Sequence, residues 1–163
     1  MNHPAILTEN LRPTPAWLIA AMSAVIAWGV STIITPGDWY ASLHKPSWHL
    51  SAQEFSDGFA AVYLTMAVAL LLLLRAEPSA TRTQSLLVFS LQLVLSALWG
   101  PLFFGLQMPV VAFAAVLMVW ATALASSLSA ADVRASAAWF QVPHLLWVSF
   151  LLVLNGVIVA LNF

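Results

Sequence analysis

Two stretches of the chain carry polar and aromatic side chains at helical spacing within otherwise apolar sequence. Residues three, four, seven and eleven positions apart share one face of a helix. Gln92, Ser96 and Trp99 form such a face in the first stretch. The face in the second stretch consists of His144, Trp147, Leu151 and Asn155. Indole rings beside amide, hydroxyl and imidazole groups are typical of a binding pocket, which combines apolar walls with a few polar anchors.

The same polar side chains could instead hold helices together. A hydrogen bond between membrane helices contributes about 0.6 kcal/mol on average and uses the same residue types. This alternative stays open for Gln92, Ser96 and Asn155. Small residues at four-residue spacing favour close packing of a helix against a neighbour or a second copy. The chain has two such pairs, Ser96/Gly100 and Ala121/Ala125.

The segment "WYASLHKPSWH", residues 39–49, concentrates aromatic and basic residues between two apolar runs. Its simplest interpretation is an aromatic belt of Trp39, Tyr40 and Trp48 at the membrane surface, with Lys45 reaching water. It belongs, however, to a connection of about 20 residues, and loops of that length are usually functional or disordered. Because the aromatic content argues against disorder, we predict a functional loop over residues 36–57.

The sequence contains no recognisable catalytic arrangement. Acidic residues such as Asp38, Asp57 and Asp132 lie in or beside loops, without the pairing that general acid–base catalysis requires. The chain lacks cysteine, which excludes disulfides, thiolate catalysis and cysteine-bound metals. Motifs for phosphate binding, zinc hydrolysis and serine hydrolysis are absent. Since a net charge of −1 also offers no basic surface for nucleic acid, we predict no catalytic residue, metal site or nucleic-acid partner.

The elements that carry these residues must lie in a membrane. Of the 163 residues, 62% are hydrophobic and only 7% are charged, whereas soluble domains carry about 25% charged residues. Charges and turn residues divide the chain into five apolar segments, each near the ~20 residues that a helix needs to cross the bilayer. Because a membrane-spanning backbone must pair its own polar groups, the sequence predicts an all-α membrane protein, a single domain with five transmembrane helices. The predicted helices are residues 16–35, 58–74, 84–104, 110–128 and 137–161.

Basic residues are distributed unequally over the two ends of this predicted bundle. Five helices place Arg12, Arg75, Arg82 and Arg134 at one end and Lys45 at the other. Loops rich in lysine and arginine stay in the cytoplasm. The sequence therefore predicts a cytoplasmic N-terminus, with the first loop and the C-terminus on the opposite side.

Three motifs follow one another along nearly the whole chain. The first comprises Trp39, Tyr40, Leu43, Lys45, Pro46 and Trp48, followed by Tyr63. The second, "QLVLSALWGPLFFG", comprises Gln92, Leu93, Leu95, Trp99, Phe103 and Phe104. The third, "PHLLWVSFLLVLN", comprises Pro143, Trp147, Leu154 and Asn155. Together they resemble the tryptophan-rich sensory protein / translocator protein family (TspO/MBR).

The resemblance implies a five-helix bundle, often a homodimer, with a pocket between the helices that the first loop closes. Members of the family bind porphyrins such as protoporphyrin IX and haem, with proposed roles in tetrapyrrole transport, sensing and light-dependent porphyrin breakdown. It implies no required cofactor, only porphyrin or haem as a possible ligand. The predicted ligand-binding residues are Trp39, Leu43, Pro46, Trp48, Phe55, Phe59, Gln92, Ser96, Trp99, His144, Trp147, Leu151 and Asn155.

The chain departs from the family pattern in the second half of the loop. Leu50, Ser51 and Ser56 replace prolines, and proline stiffens a chain by fixing φ. We therefore expect a more mobile lid, with residues 50–57 as its most mobile part, whereas Trp48 should stay anchored. Restoring prolines at positions 50 and 51 is then expected to tighten porphyrin binding.

Four further substitutions alter the predicted pocket. Phe59 replaces a tryptophan that porphyrin breakdown requires in the family, although its partner is present as Trp147. Ser96 and His144 replace an asparagine and a tyrosine, and Leu151 replaces a small residue and narrows the site. His144 is predicted either to bond water or a carbonyl at the membrane interface or to contact a porphyrin's carboxylate or metal.

The leading hypothesis is a membrane binding protein that acts as receptor, carrier or sensor for a flat hydrophobic ligand, with a porphyrin as the expected ligand. The first alternative is an enzyme that degrades porphyrin with light and oxygen through Trp147, which the substitution at Phe59 disfavours. The second is a membrane scaffold without a small ligand, which gains support if the chain's own side chains fill the pocket. The lipid bilayer is a partner in all three.

Overall fold

A computed structural model describes residues 15–34 and 36–163. These residues form helices joined by turns and short connections. In chain order the elements are α1 (Ala16–Thr32), α2 (Asp38–Ser42), α3 (Ala52–Leu74), α4 (Ala80–Gly100), a π-helical segment (Pro101–Gly105), α5 (Pro109–Val133), α6 (Ala135–Trp139) and α7 (Val142–Asn162). Arg12, which contributes to the predicted orientation, and Thr35, the predicted end of the first helix, lie outside the described residues.

Five apolar helices form an all-α membrane bundle, as the sequence predicts. Four are long enough to cross the bilayer: α3, α4 with the π-helical segment, α5, and α6 with α7. The fifth, α1, has 17 residues and is therefore about 25 Å long at 1.5 Å per residue. Three predicted boundaries are wrong by about a turn or more, because α3 begins at Ala52, α4 begins at Ala80 and α5 continues to Val133.

The helices pack in a closed ring whose order differs from the order along the chain. Around the ring, α1 contacts α3, α3 contacts α7, α7 contacts α5, α5 contacts α4, and α4 closes on α1. Gly100 permits the close approach of α4 to α1, because a Cβ atom at its position would lie 2.6 Å from the carbonyl oxygen of Ser31. Of the pair Ser96/Gly100, Gly100 therefore lies against α1 and Ser96 faces α7, whereas Ala121 and Ala125 are exposed on the outer face of α5.

A capping box fixes the N-terminus of α3. The Glu54 backbone N–H donates to the Ser51 hydroxyl oxygen (3.3 Å), and the Ser51 backbone N–H donates to a Glu54 carboxylate oxygen (2.7 Å). Phe55, in the first turn, is buried and meets Phe104 edge-on. The predicted loop of residues 36–57 is therefore too long, because the chain from Ala52 onward is already helical; the mobility expected of residues 50–57 stays a prediction. A reciprocal pair of hydrogen bonds takes the place of the stiffening that proline would give.

The connection between α3 and α4 is closed by hydrogen bonds at both helix ends. The Ser79 hydroxyl accepts from the Arg82 backbone N–H at 3.1 Å and caps α4. The Arg82 guanidinium donates to the carbonyl oxygens of Leu73 (2.9 Å) and Leu74 (2.8 Å), the last residues of α3. A cation bound to free carbonyl groups at a helix C-terminus is stabilising. Arg82 thus holds the two helix ends together.

A π-helical segment follows α4 where Pro101 interrupts the α-helical hydrogen bonds. The Leu106 N–H donates to the Pro101 carbonyl oxygen at 2.9 Å, across one residue more than in an α-helix. Phe103 and Phe104 lie in this wider turn and are buried. Gln107 then adopts a φ of 55°, and the chain reverses into α5. The segment thereby supplies two aromatic rings to the interior of the bundle.

Proline at position 51 should destabilise α3 instead of stiffening the loop. Ser51→Pro removes both the N–H and the hydroxyl of the capping box, and loss of an N-cap costs about 1 kcal/mol. We expect Ser51→Pro and Ser51→Ala each to lower the free energy of unfolding in detergent by about this amount. Ser47→Ala, in the exposed turn of the same loop, should leave it unchanged. A more stable Ser51→Pro variant would contradict the stabilising role of the capping box.

Candidate ligand-binding site

The lysine of the first loop points inward and closes the short helix α2. The Lys45 ammonium group donates to the carbonyl oxygens of Tyr40 (2.6 Å), Ala41 (3.1 Å) and Leu43 (2.8 Å). It also lies 4.9 Å from the centre of the Tyr40 ring, within range of a cation–π contact. The interpretation that Lys45 reaches water is therefore wrong, because its three donors pair with loop carbonyl groups.

Two contacts attach the loop to α7. The Asn162 side-chain amide donates to the His44 carbonyl oxygen (2.9 Å) and accepts from the His44 backbone N–H (2.8 Å), although these residues are 118 positions apart. We call this pair of hydrogen bonds the loop latch. The Trp48 ring also meets Phe150 edge-on, with ring centroids 5.8 Å apart. The loop is thus pinned across the end of the bundle.

Beneath the loop, rings from several elements form one continuous group, which we call the inner aromatic cluster. Its members are Tyr40, Phe55, Phe59, Trp99, Phe103 and Phe104. Trp99 stacks on Phe103 with ring centroids 5.1 Å apart. Tyr40 meets Phe104 edge-on at 5.4 Å, and Trp39 packs against Phe103 at 5.7 Å. Such ring pairs stabilise by about 0.5–1.5 kcal/mol beyond their buried area, so the cluster holds the loop to the π-helical segment.

Tyr40 carries the polar end of this cluster. Burial raises the pKa of its hydroxyl to about 12, because the charged phenolate would lose its hydration. The hydroxyl lies 3.4 Å from the Leu50 carbonyl oxygen and donates to it. It therefore stays protonated at physiological pH and adds no charge beneath the loop.

Gln92, Ser96 and His144 form one buried network between α4 and α7. Gln92 Nε2 donates to His144 Nδ1 at 2.7 Å, so the imidazole proton lies on Nε2, 3.2 Å from the Ser96 oxygen. The Ser96 hydroxyl in turn donates to the Gln92 carbonyl oxygen at 2.8 Å. With 1% of its surface exposed, His144 is buried between helices, and the interpretation that it bonds water or a carbonyl is wrong, because both ring nitrogens pair with side chains. Its contact with a porphyrin stays a prediction, and a metal could bind its ring only by displacing one of these bonds.

A second polar contact joins three helices. The Trp99 indole N–H donates to Asn155 Oδ1 at 3.1 Å, and Asn155 Nδ2 donates to the Pro109 carbonyl oxygen at 2.9 Å. Asn155 therefore connects α4, α7 and the start of α5. Since these bonds fix the Trp99 ring, the amide positions part of the inner aromatic cluster.

Two buried polar pairs were not predicted from the sequence. The Ser126 hydroxyl donates to Gln141 Oε1 at 2.8 Å and joins α5 to the start of α7. The hydroxyl groups of Ser31 and Tyr63 hydrogen-bond at 2.7 Å and join α1 to α3. A polar residue inside an apolar span is the signal that could have found them, because such residues face protein and not lipid.

The structure brings most of the predicted site residues together. Those that are buried in the interior are Phe55, Phe59, Gln92, Ser96, Trp99, His144, Leu151 and Asn155. Those that are partly buried and pack against them are Trp39, Leu43 and Trp147. Pro46 is half-buried, and Trp48 is 45% exposed at the outer edge of the loop. The structure therefore places these last two residues on the loop and not in the interior.

The chain's own side chains fill the space beneath the loop. A cavity beside the inner aromatic cluster, lined by Ser31, Phe55, Phe59 and Phe104 among others, has a volume of about 10 Å³. That is room for about one water molecule, whereas pockets for small molecules measure about 300–1,000 Å³. Within residues 15–34 and 36–163, no group of three His, Asp or Glu side chains could hold a metal ion. A flat ligand can enter here only if side chains move.

Comparison with known proteins identifies the family. The TspO/MBR family profile matches residues 15–161. The chain belongs to the TspO/MBR family. The tryptophan-rich sensory protein of Cereibacter sphaeroides is 28% identical over 130 residues, which cover 80% of each chain. The tryptophan-rich protein TspO of Chlorobaculum tepidum is 31% identical over 129 residues, 78% of this chain and 82% of that one.

A third relative, the translocator protein of Ovis aries, is 30% identical over 119 residues, which cover 72% of this chain and 70% of that protein. The resemblance drawn from the three sequence motifs is thereby confirmed. As a TspO/MBR protein with five apolar helices, the chain is a multi-pass membrane protein of the sensory and translocator class.

The loop latch should limit the motion of the first loop. Asn162→Ala removes both hydrogen bonds to His44, so we expect a nitroxide attached at Ser47→Cys to become more mobile in its electron paramagnetic resonance spectrum. The chain has no other cysteine, which makes this label unique. Asn162→Asp keeps an acceptor for the His44 N–H and should give an intermediate spectrum. Identical spectra for the labelled proteins with Asn162, Asn162→Ala and Asn162→Asp would show that the latch does not restrain the loop.

The network between α4 and α7 should appear as an energetic coupling. In a double-mutant cycle with Gln92→Leu and His144→Leu, we expect a coupling free energy of about 1 kcal/mol in unfolding from detergent micelles. Gln92→Leu combined with Ser149→Ala is the control, and it should be additive because Ser149 bonds Trp120 and Leu145 instead. Additive effects of Gln92→Leu and His144→Leu would contradict a stabilising role for the network.

Proposed function

We propose that the protein is a membrane-embedded binding protein for a flat hydrophobic ligand, with a porphyrin such as protoporphyrin IX or haem as the expected ligand. The observation that carries this proposal is the inner aromatic cluster beneath a latched loop. Interfaces between membrane helices are enriched in small residues, which let the helices approach closely. A concentration of rings in one place is therefore better explained as a recognition surface, on which the faces of a flat ligand can stack.

Two buried polar atoms support a binding role. Gln92 Oε1 and Trp147 Nε1 have no hydrogen-bond partner in the described part of the chain, and such atoms are uncommon in folded proteins. Gln92 Oε1 is an acceptor and Trp147 Nε1 is a donor, so a ligand with polar groups at its edge could pair with both. Two relatives are named a tryptophan-rich sensory protein and a translocator protein, and both names are consistent with a binding role.

One observation favours a different function, that of a membrane scaffold without a small ligand. The cavity beside the inner aromatic cluster measures only about 10 Å³, so the interior is packed as in a protein that binds nothing there. Ligand binding requires these packed side chains to move apart when the ligand enters, whereas a scaffold does not. Binding is the stronger proposal, because a scaffold leaves the unpaired Gln92 and Trp147 atoms without a role.

Two features of the outer surface support further proposals about the protein in its membrane. Arg75 and Arg134 line one cleft at one end of the bundle, and Lys45 lies in the loop at the other end. We propose that the arginine end is cytoplasmic, in keeping with the positive-inside rule. Ala121 and Ala125 are exposed on α5 and would permit close approach of a second copy, so this face is our proposed dimer contact.

Titration of protoporphyrin IX into the purified protein tests the binding function. We expect saturable quenching of tryptophan fluorescence with a Kd below roughly 100 μM, about −5.5 kcal/mol. Leu151→Trp, at a buried position of α7, should weaken binding by filling the site. Leu146→Trp, 65% exposed on the same helix, is the matched control and should bind as the wild-type protein does.

Quenching that fails to saturate, or that is the same for Leu151→Trp and the wild-type protein, would exclude a site in the bundle interior and favour the scaffold. Illumination of the complex separates binding from breakdown of the ligand. Bleaching of the porphyrin Soret band that is faster in the wild-type protein than in Trp147→Phe would instead favour the light-dependent enzyme.

A further inference from the structure

The indole of Trp147 lies directly on the backbone of α3 at Gly58. A Cβ atom at position 58 would overlap three atoms of its six-membered ring, Cη2, Cζ3 and Cζ2. These atoms form the far end of the side chain, so the ring and not the helix backbone would have to move. Gly58 therefore provides the ring-sized space between α3 and α7 that the indole fills.

The N–H of this indole is buried without a partner. Trp147 Nε1 has no hydrogen-bond acceptor among the described residues, although a buried indole N–H usually finds one. Two other indoles are paired, because Trp99 donates to Asn155 at 3.1 Å and Trp120 donates to Ser149 at 3.0 Å. Packing alone holds the Trp147 indole, and its donor remains available to a ligand.

Ring contacts connect Trp147 both to the inner aromatic cluster and to the loop. Its ring meets Phe59 edge-on at 5.5 Å and stacks on Phe150 at 5.8 Å. Phe150 in turn touches Trp48 of the loop. Trp147 is only half-buried, so part of the residue lies at the surface of the bundle. Rotation of its side chain would break no hydrogen bond of the indole to the described residues.

We propose that Trp147 is the gate of the ligand site: in the ligand-free protein its indole occupies the space on Gly58 that a ring of the ligand takes on binding. This inference rests on the function proposed above. When the indole turns away, Gly58 and Phe59 form an open apolar wall, and the indole N–H can donate to an acceptor at the ligand's edge. The gate therefore selects a flat ring system that carries a carboxylate or carbonyl oxygen.

The gate can be tested without a ligand. Labelling the eight tryptophans with 5-fluorotryptophan gives a fluorine resonance for Trp147, assigned by its loss in Trp147→Phe. Gly58→Ala should move this resonance, because the added Cβ displaces the ring. Gly29→Ala is the matched control, since a Cβ there meets nothing within 4 Å, and it should leave the resonance in place. An unmoved Trp147 resonance in Gly58→Ala would overturn the gate.

Stopped-flow mixing with protoporphyrin IX separates the gate from the proposed function. Opening of the gate limits association, so the observed rate in the wild-type protein should level off with rising ligand concentration. Trp147→Ala should remove this plateau and raise the rate about tenfold or more, whereas Gly29→Ala should match the wild-type protein. A rate that rises linearly and is equal in wild type and Trp147→Ala overturns the gate but leaves the proposed function standing. Binding by neither protein overturns the proposed function and with it the gate, whereas the Trp147 resonance then reports only the contact of the ring with Gly58.

Discussion

The structure depends on one constraint: a polar group inside the bilayer must find its partner within the chain. Helix backbones satisfy this constraint alone, but polar side chains have to reach a neighbouring helix. Ser31 bonds Tyr63 across α1 and α3, and Ser126 bonds Gln141 across α5 and the start of α7. Asn155 joins α4, α5 and α7. Because each pair can form at only one relative height of its helices, these contacts set the register of α1 against α3 and the register of α4, α5 and α7 against one another.

The same constraint explains the composition of the first loop. A loop that folds back over the end of a membrane bundle removes its own carbonyl groups from water, and these need donors. Lys45 supplies three donors to carbonyl groups within the loop, and the Asn162 amide satisfies both backbone groups of His44. The aromatic residues then cover the apolar end of the bundle, as Tyr40 does against Phe55 and Phe104. The basic and aromatic residues of the loop therefore form its internal framework.

Hydrophobic segments predicted the number and approximate places of the helices, because each crossing needs a long apolar run. Helical spacing also predicted the inward faces that carry Gln92 and Asn155, which are fully buried. The order of the helices in the ring and the loop latch depend on residues far apart in the chain, and periodicity does not record such contacts. The start of α3 was missed for a different reason. Its first turn is polar, so a hydropathy pattern assigns it to the loop. The spacing of Ser51 and Glu54 is nevertheless that of a capping box, which marks the start of a helix.

Interior packing and ligand binding compete for the same residues in this bundle. The apparent affinity of a ligand falls by the fraction of molecules that are already open, so the side chains that are easiest to move decide where a site can form. Moving Trp99 would leave Asn155 Oδ1 and the indole N–H unpaired, at about 1–3 kcal/mol for each buried group. Trp147 loses only ring contacts with Phe59 and Phe150. The bundle should therefore open between α3 and α7, while the hydrogen bonds that join α7 to α4 and α5 remain in place and supply the fixed wall of the site.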